Sequence, residues 1–318
     1  MHLTLPNSWE QVMPPGTTIA ALEQGSFSDE AARRIAQYVA NARIENVRAI
    51  GDVWKAIAAG SAGIIPFENA NAGVVWAHLH ELSTGQYRIV GEIHHPVNMC
   101  AGTHPDVALE RTSMVCSHPK AIEQSFKWID AHRLTQNPNF SSTVDAAKYV
   151  AEHPEILAVA LGTRSAIEDN GLLLCAEDIA DSPAKENITR MFVVRDNGHS
   201  EIPDGMFEHH AAIIRPQEYD GSLVDVLSVI KEAAGLSSIH SRSIGHMQYE
   251  FFLQMRRRST VDDPVKHFNN MVLALNGLVG RDRVRWLGSW GRQFVPDVTL
   301  NHLEVQQGSD LPLRLRRT

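Results

Sequence analysis

Ala62-Gly63-Ile64-Ile65-Pro66-Phe67-Glu68-Asn69 is an apolar run that stops at two polar residues. A continuous rather than alternating run of this length reads as a strand buried on both faces, the kind that sits inside a layered α/β sheet. Upstream, Thr18–Leu22 is a second short apolar run suited to a strand. Gly25-Ser26-Phe27-Ser28 leads from it into a helix over Asp29–Asn41, in which Ala31, Ala32, Ile35, Ala36 and Val39 share one face. Ser28 or Asp29 is its candidate cap, because a short polar side chain can accept from the orphan N–H groups of a first turn. A further helix, Asp52–Ala59, ends at Gly60. Downstream, Ser113–Cys116 is a strand, and Ser117-His118-Pro119 turns it into a helix over Lys120–His132. Phe140-Ser141-Ser142-Thr143 precedes a helix through Glu152; then come strand Ile156–Ala160, helix Arg164–Asn170 and strand Gly171–Cys175. This alternation predicts α/β layers with substantial parallel pairing.

A different pattern begins near Phe207. Strand Ala211–Ile214, helix Gly221–Ala234, strands Leu236–Arg242 and Tyr249–Met255, helix Asp263–Asn276 and strand Val284–Gly288 follow in turn. Their order, βαββαβ, is that of a ferredoxin-like unit. Asp196-Asn197-Gly198 and Pro203-Asp204-Gly205 are turn-forming clusters that suit a hinge between the two parts. Residues 1–16 read as a lead-in, and 291–318 as an irregular tail.

Composition narrows the function classes. A hydrophobic share of 43%, a charged share of 21% and a formal charge of −8 describe an ordinary globular chain and give no sign of nucleic-acid binding. Cys100, Cys116 and Cys175 follow no CxxC pattern, so neither a disulfide framework nor a zinc site is expected. The histidine pairs His94-His95 and His209-His210 would point to opposite faces of a strand, and no HxxxH or HExxH spacing occurs, so no metal is expected. The start of the chain lacks a basic segment followed by an apolar run, and no later stretch is long enough to span a bilayer. A cytoplasmic location with no membrane partner is the expectation.

The polar residues after the strands carry the chemistry. Strand ends rich in Ser, Thr and Asn that open into helices place hydroxyls and backbone N–H groups around one cleft, a cradle for carboxylates. Asn187-Ile188-Thr189-Arg190 adds an amide, a hydroxyl and a guanidinium, and taken alone it reads as a hydroxyl at the end of a loop.

In order along the chain, Glu23-Gln24-Gly25-Ser26-Phe27-Ser28, Ile64-Ile65-Pro66-Phe67-Glu68-Asn69-Ala70, Ser117-His118-Pro119-Lys120-Ala121, Ser142-Thr143, Ala176-Glu177-Asp178-Ile179 and Asn187-Ile188-Thr189-Arg190-Met191 resemble motifs of the prephenate dehydratase family. The resemblance covers about residues 17–290. It implies an α/β chain with a two-lobed catalytic domain of type II periplasmic-binding-protein form over 17–203, its second lobe at about 94–185. A ferredoxin-like ACT regulatory domain over 207–290 would follow. The implied reaction turns prephenate into phenylpyruvate with loss of carbon dioxide and the ring hydroxyl, without metal or organic cofactor. Thr189 would assist departure of the hydroxyl, and Arg190 would hold a carboxylate or orient the loop. Ser26, Glu68, Asn69, Ser117, His118, Ser142 and Thr143 would meet the dicarboxylate substrate. Gly221 and Leu223, with Ser241 and Arg242, would serve an amino-acid effector, and a homodimer or homotetramer is expected. Ala70 and Met191 stand where the family has serine and phenylalanine, and His240-Ser241-Arg242-Ser243 where it has Glu-Ser-Arg-Pro. These departures keep two other readings open, a decarboxylase that does not aromatise its product and a non-catalytic sensor of small molecules.

Overall fold

The computed structural model describes residues 9–196, 207–245, 248–258 and 262–291. Three sheets organise them. The first runs in the order Arg43–Val47, Thr18–Leu22, Ala62–Asn69, Ile188–Asp196, Tyr87–Pro96, with Gly73–Val74 paired to Ala62–Asn69. Its first three strands are parallel, while Ile188–Asp196 enters antiparallel between Ala62–Asn69 and Tyr87–Pro96. The chain therefore leaves this sheet after Pro96, builds a second sheet and returns at Ile188 to its middle. That second sheet is ordered Leu173–Ala176, Cys100–Thr103, Ala158–Gly162, Met114–Cys116, Thr135–Asn137, and is also mixed. Two lobes joined by two crossings result.

Side-chain alternation along Ile188–Asp196 decides what lies on either side of the first sheet. Met191 and Val193 pack with Ala31, Ala32 and Ile35 of the helix Phe27–Ala36. Phe192 and Val194 face the other way, against Phe67, Phe252, Leu287 and Trp290. The last two of these belong, with Phe252, to a third sheet, so the back of the first sheet shares a core with it. The third sheet is antiparallel, ordered Ala234–Gly245, Gln248–Arg257, His209–Ile214, Val284–Trp290. Helices Ser222–Ala233 and Pro264–Val279 cover its far face through Val226, Ile230, Phe268 and Leu275. This is the βαββαβ unit read from the sequence.

Several local readings change. The single helix expected over Lys120–His132 is two helices, Pro119–Gln124 and Phe126–Ala131. Asp181 causes the break: its N–H donates to the Gln124 carbonyl (2.6 Å) and its carboxylate accepts from the Lys127 N–H (2.9 Å). Arg43–Val47 and Cys100–Thr103 are additional strands. The segment read as a loop at Asn187–Arg190 is the start of the strand Ile188–Asp196. The two hinge clusters fall, apart from Asp196, outside the described residues, as do residues 1–8 of the lead-in and the tail beyond residue 291; the rest of the lead-in holds the short helix Trp9–Val12, with Trp9 and Met13 buried. Among the described residues no helix is long and apolar enough to cross a membrane, and no group of His, Cys, Asp and Glu could hold a metal ion.

Candidate active site

The cleft between the lobes is bounded by polar chain ends. The first lobe contributes the ends of Thr18–Leu22, Ala62–Asn69 and Tyr87–Pro96 and the beginning of Ile188–Asp196. From the second come the ends of Met114–Cys116, Thr135–Asn137 and Ala158–Gly162 and the start of the helix Thr143–Glu152. Hydrogen bonds join the two sides. The Thr163 hydroxyl donates to the Gly25 carbonyl, Ser165 to Glu30 (3.2 Å), the Gln24 amide to Asp169 (3.2 Å) and the Ser142 hydroxyl to Glu23 (2.6 Å).

Thr189 stands at the centre of the first-lobe wall, directly across from Asn69 on one strand and His95 on the other. Directly opposed residues share a face of the sheet. The Asn69 Nδ2 donates to the Thr189 hydroxyl oxygen (3.0 Å) and to the Asn187 side-chain oxygen (2.9 Å). Its Oδ1 accepts from the backbone N–H groups of Asn71 and Ala72, both at 2.9 Å. With two donors on the oxygen side, the amide can only turn its nitrogen toward Thr189. Thr189 therefore receives a hydrogen bond, and its own O–H is left to donate to a partner other than Asn69. Asn187 is fully buried and carries the chain on to Gln124 of the second lobe (3.2 Å).

His95, absent from the sequence-based set, is buried beside this group. Its Nε2 lies 3.1 Å from Glu30 and its Nδ1 3.5 Å from Arg34, so both ring nitrogens are engaged by the helix Phe27–Ala36. The ring acts as a rivet between that helix and the strand flanking Thr189. His94 turns outward toward Glu92 (3.8 Å), as adjacent strand residues must.

The structure separates Arg190 and Glu68 from Thr189 and Asn69. Arg190 projects from the opposite face, where it pairs with Glu68 (2.7 Å), donates to Gln254 of the third sheet (2.5 Å) and lies over the rings of Phe67 and Phe192 at 5.2 and 5.7 Å. Neither residue shares the Thr189 face: the Arg190 guanidinium and the Glu68 carboxylate pair with each other on the side of the third sheet. Arg190 is spent on docking the third sheet. Ser117 is also committed: it is fully buried and donates to the Leu161 carbonyl (2.8 Å). Ser26 and His118 cap their helices, accepting from Asp29 (3.1 Å) and Lys120 (3.2 Å). Burial, and then the charge of Lys120, lowers the His118 pKa, consistent with a neutral acceptor. Ser142 caps the helix Thr143–Glu152. Cys100 and Cys116 are pushed up to about 11 by burial, so neither is a thiolate at neutral pH.

On the third sheet, a pocket of about 600 Å³ is lined by Arg215, Tyr219, Ser222, Leu223, Gln248 and Phe251, among others. Gly221 precedes its helix at φ +92°, a conformation glycine reaches without strain. Arg242 lies apart from that pocket lining: it bonds Glu250, His80 and Ser83, tying the third sheet to the first lobe. Glu250 is shared with Arg215 (3.1 Å), which does line the pocket.

The chain is thus a two-lobed α/β unit whose facing chain ends carry hydroxyls and amides, followed by a ferredoxin-like unit. The family profile described as "Prephenate dehydratase" matches residues 21–199, and the chain belongs to that family of lyases. It is 28% identical over 240 residues to a bifunctional chorismate mutase/prephenate dehydratase of Stutzerimonas stutzeri, an alignment covering 72% of this chain and 62% of that protein. It is 29% identical over 185 residues to the chloroplastic arogenate dehydratase 4 of Arabidopsis thaliana, covering 56% and 42%. The chain thus spans less than two thirds of the length of either relative. Among solved structures, the prephenate dehydratase of Arthrobacter aurescens in complex with L-Phe superposes with a TM-score of 0.72 at 26% identity, over 87% of this chain and 90% of that one.

Proposed function

We propose that this chain catalyses the decarboxylating dehydration of prephenate to phenylpyruvate, the ring aromatising as carbon dioxide and water leave. Carbon dioxide departs from the ring carbon that also bears the three-carbon side chain, and its bonding electrons move through the ring. On the far side of the ring the C–O bond breaks, and the leaving oxygen takes a proton to become water. The step that needs help is that departure, since hydroxide is a poor leaving group without a donor. The observation that carries the reading is the polarity of the Thr189 hydroxyl: Asn69 donates to its oxygen, so its proton points away from Asn69. A fixed donor aimed where negative charge develops is the larger part of such catalysis. Threonine is too weak an acid to give up its proton outright, so Thr189 acts as an oriented hydrogen-bond donor that stabilises the departing hydroxide, and solvent supplies the proton that completes the water.

The substrate's carboxylates fall to the second-lobe wall, where Ser142 and Thr143 open a helix whose N-terminal end favours negative charge. For the third sheet we propose an amino-acid effector in the pocket at Leu223, by analogy with the L-Phe complex of the Arthrobacter protein. The test of the reaction is incubation of pure protein with prephenate, followed by absorbance in base and mass spectrometry. Phenylpyruvate supports the reading. A product that has lost carbon dioxide but kept its ring oxygen replaces it with non-aromatising decarboxylation, and no turnover at saturating prephenate ends it.

A further inference from the structure

Glu23 belongs to the first lobe but its carboxylate is bound by the second. It accepts from the Ser142 hydroxyl at 2.6 Å and pairs with the Lys148 ammonium at 3.3 Å. Its side chain is only 18% exposed, whereas Lys148 is half-exposed. A carboxylate thus occupies part of the very wall on which a dianionic substrate would be expected to lay its own. If the wall served only to gather carboxylates, this side chain would oppose it, since like charges at close range disfavour each other.

The geometry of the substrate indicates what Glu23 could recognise. The leaving hydroxyl and the three-carbon side chain sit on opposite corners of the ring. With the hydroxyl at Thr189 on the first lobe, the side chain is directed toward the opposite wall, where Glu23, Ser142 and Lys148 meet. We propose that Glu23 and Lys148 together read the α-carbon of that side chain as an amino acid: Lys148 takes the α-carboxylate and Glu23 the α-ammonium. A carboxylate and an ammonium held side by side are the charge complement of a zwitterion. An α-oxo acid still offers its carboxylate to Lys148, but sets a carbonyl oxygen against Glu23. The inference rests on the dehydratase reading above and sharpens its substrate: arogenate, the α-amino counterpart of prephenate, is turned over in preference to prephenate itself.

The experiment measures kcat/KM for both compounds with the wild type, E23Q and K148M. Glutamine keeps the size of Glu23 and can still accept from Ser142, and melting temperatures check that each variant is folded. The wild type should favour arogenate by about tenfold or more, and E23Q should lower that ratio by about tenfold, losing with arogenate and not with prephenate. K148M should weaken both compounds alike, because both carry the α-carboxylate. If E23Q changes both compounds equally, Glu23 is only a latch between the lobes and the inference is overturned. A wild type that prefers prephenate overturns it as well. Should neither compound be turned over, the dehydratase reading fails, while calorimetric binding of the two to wild type and E23Q still reads the preference: a tenfold fall in the ratio supports it and equal affinities refute it.

Discussion

Replacing Thr189 with valine puts a methyl group where the hydroxyl was, at nearly constant volume. Two consequences can be worked out separately. For stability, the change removes one hydrogen bond, the 3.0 Å donation from Asn69, on a half-buried side chain. The Asn69 amide keeps one N–H on Asn187 at 2.9 Å, and the N–H released from Thr189 belongs to a side chain that is itself only half-buried. The loss should be no more than about 1 kcal/mol. For catalysis, the variant lacks the donor at the leaving oxygen, and removal of one such preorganised donor costs about 100- to 1,000-fold in kcat. KM should hardly move, because the interaction strengthens only as charge builds on the departing oxygen. Thr189→Ser keeps the donor and should remain within about tenfold of the wild type, losing mainly the methyl group that restricts the rotamer. Phenylpyruvate release gives kcat and KM, and thermal unfolding monitors the fold. If Thr189→Val retains kcat to within about threefold with a wild-type melting curve, Thr189 is not the donor and the mechanism is wrong.

Arg190→Leu should lower stability by about 1–3 kcal/mol, since it strands Glu68 and the Oε1 of Gln254, a side chain only 2% exposed. Its KM should stay near wild type; a large rise in KM with unchanged unfolding would return Arg190 to the substrate. Gly288→Ala should prevent the third sheet from docking, because Gly288 sits at φ +150° and an added β-carbon would overlap the Ile89 carbonyl of the first sheet. A well-expressed variant with wild-type melting would refute that close approach. His210 lies wholly buried against Phe268, with its ring nitrogens at Ser289 (2.8 Å) and the Phe207 carbonyl (3.1 Å), and burial lowers its pKa to about 3. The unfolded chain takes up this proton first, so the stability contribution is complete above the unfolded value and is lost as pH falls toward the folded one. At pH 5 that loss is about 2 kcal/mol. Urea unfolding at pH 7 and pH 5 should show a smaller loss for His210→Gln than for the wild type, and equal losses would reject the assignment.

Reading the sequence recovers elements whose apolar pattern is strong and misses those whose pattern is hidden. Ala62–Asn69 and Thr18–Leu22 are buried on both faces and stand out as apolar runs. Arg43–Val47 is an edge strand, exposed at most positions, and Arg-Ile-Glu-Asn-Val carries no sustained alternation. Cys100–Thr103 is buried throughout but built of small residues, because a β-carbon at Gly102 would overlap Ile167. The helix break at Ser125 depends on Asp181, more than fifty residues away, and no local signal announces it. The site follows the same rule. Thr189, Asn69, Ser142 and Thr143 were legible as polar residues at element ends. That Arg190 and Glu68 lie on the other face from Thr189 was hidden because the segment reads as a loop, in which neighbouring residues can converge; in a strand they diverge. Glu23 and His95 escaped because each finds its partners on a different element, Ser142 and Lys148 for one, Glu30 and Arg34 for the other.

The pairing of Thr189 with Asn69 depends on a single irregularity. Along the neighbouring strands Met191 faces Pro66, yet Arg190 faces Glu68, so one residue of Ala62–Asn69 is bulged out at Phe67. Proline explains the place: without an N–H it cannot complete a ladder in the middle of a sheet, and bulges are where it is tolerated. The bulge leaves Phe67 and Glu68, adjacent in sequence, both turned to the third sheet, one against Phe252 at 5.0 Å between ring centroids and the other on Arg190. Carried on without it, the register would set Glu68 opposite Thr189 and place a carboxylate beside the hydroxyl proposed to assist the leaving oxygen. Shifted by one, it presents Asn69, whose amide can accept from the chain on one side and donate to Thr189 on the other. The proline in the first apolar run thus bears on the proposed chemistry as well as the fold, since it sets which residue meets the Thr189 hydroxyl.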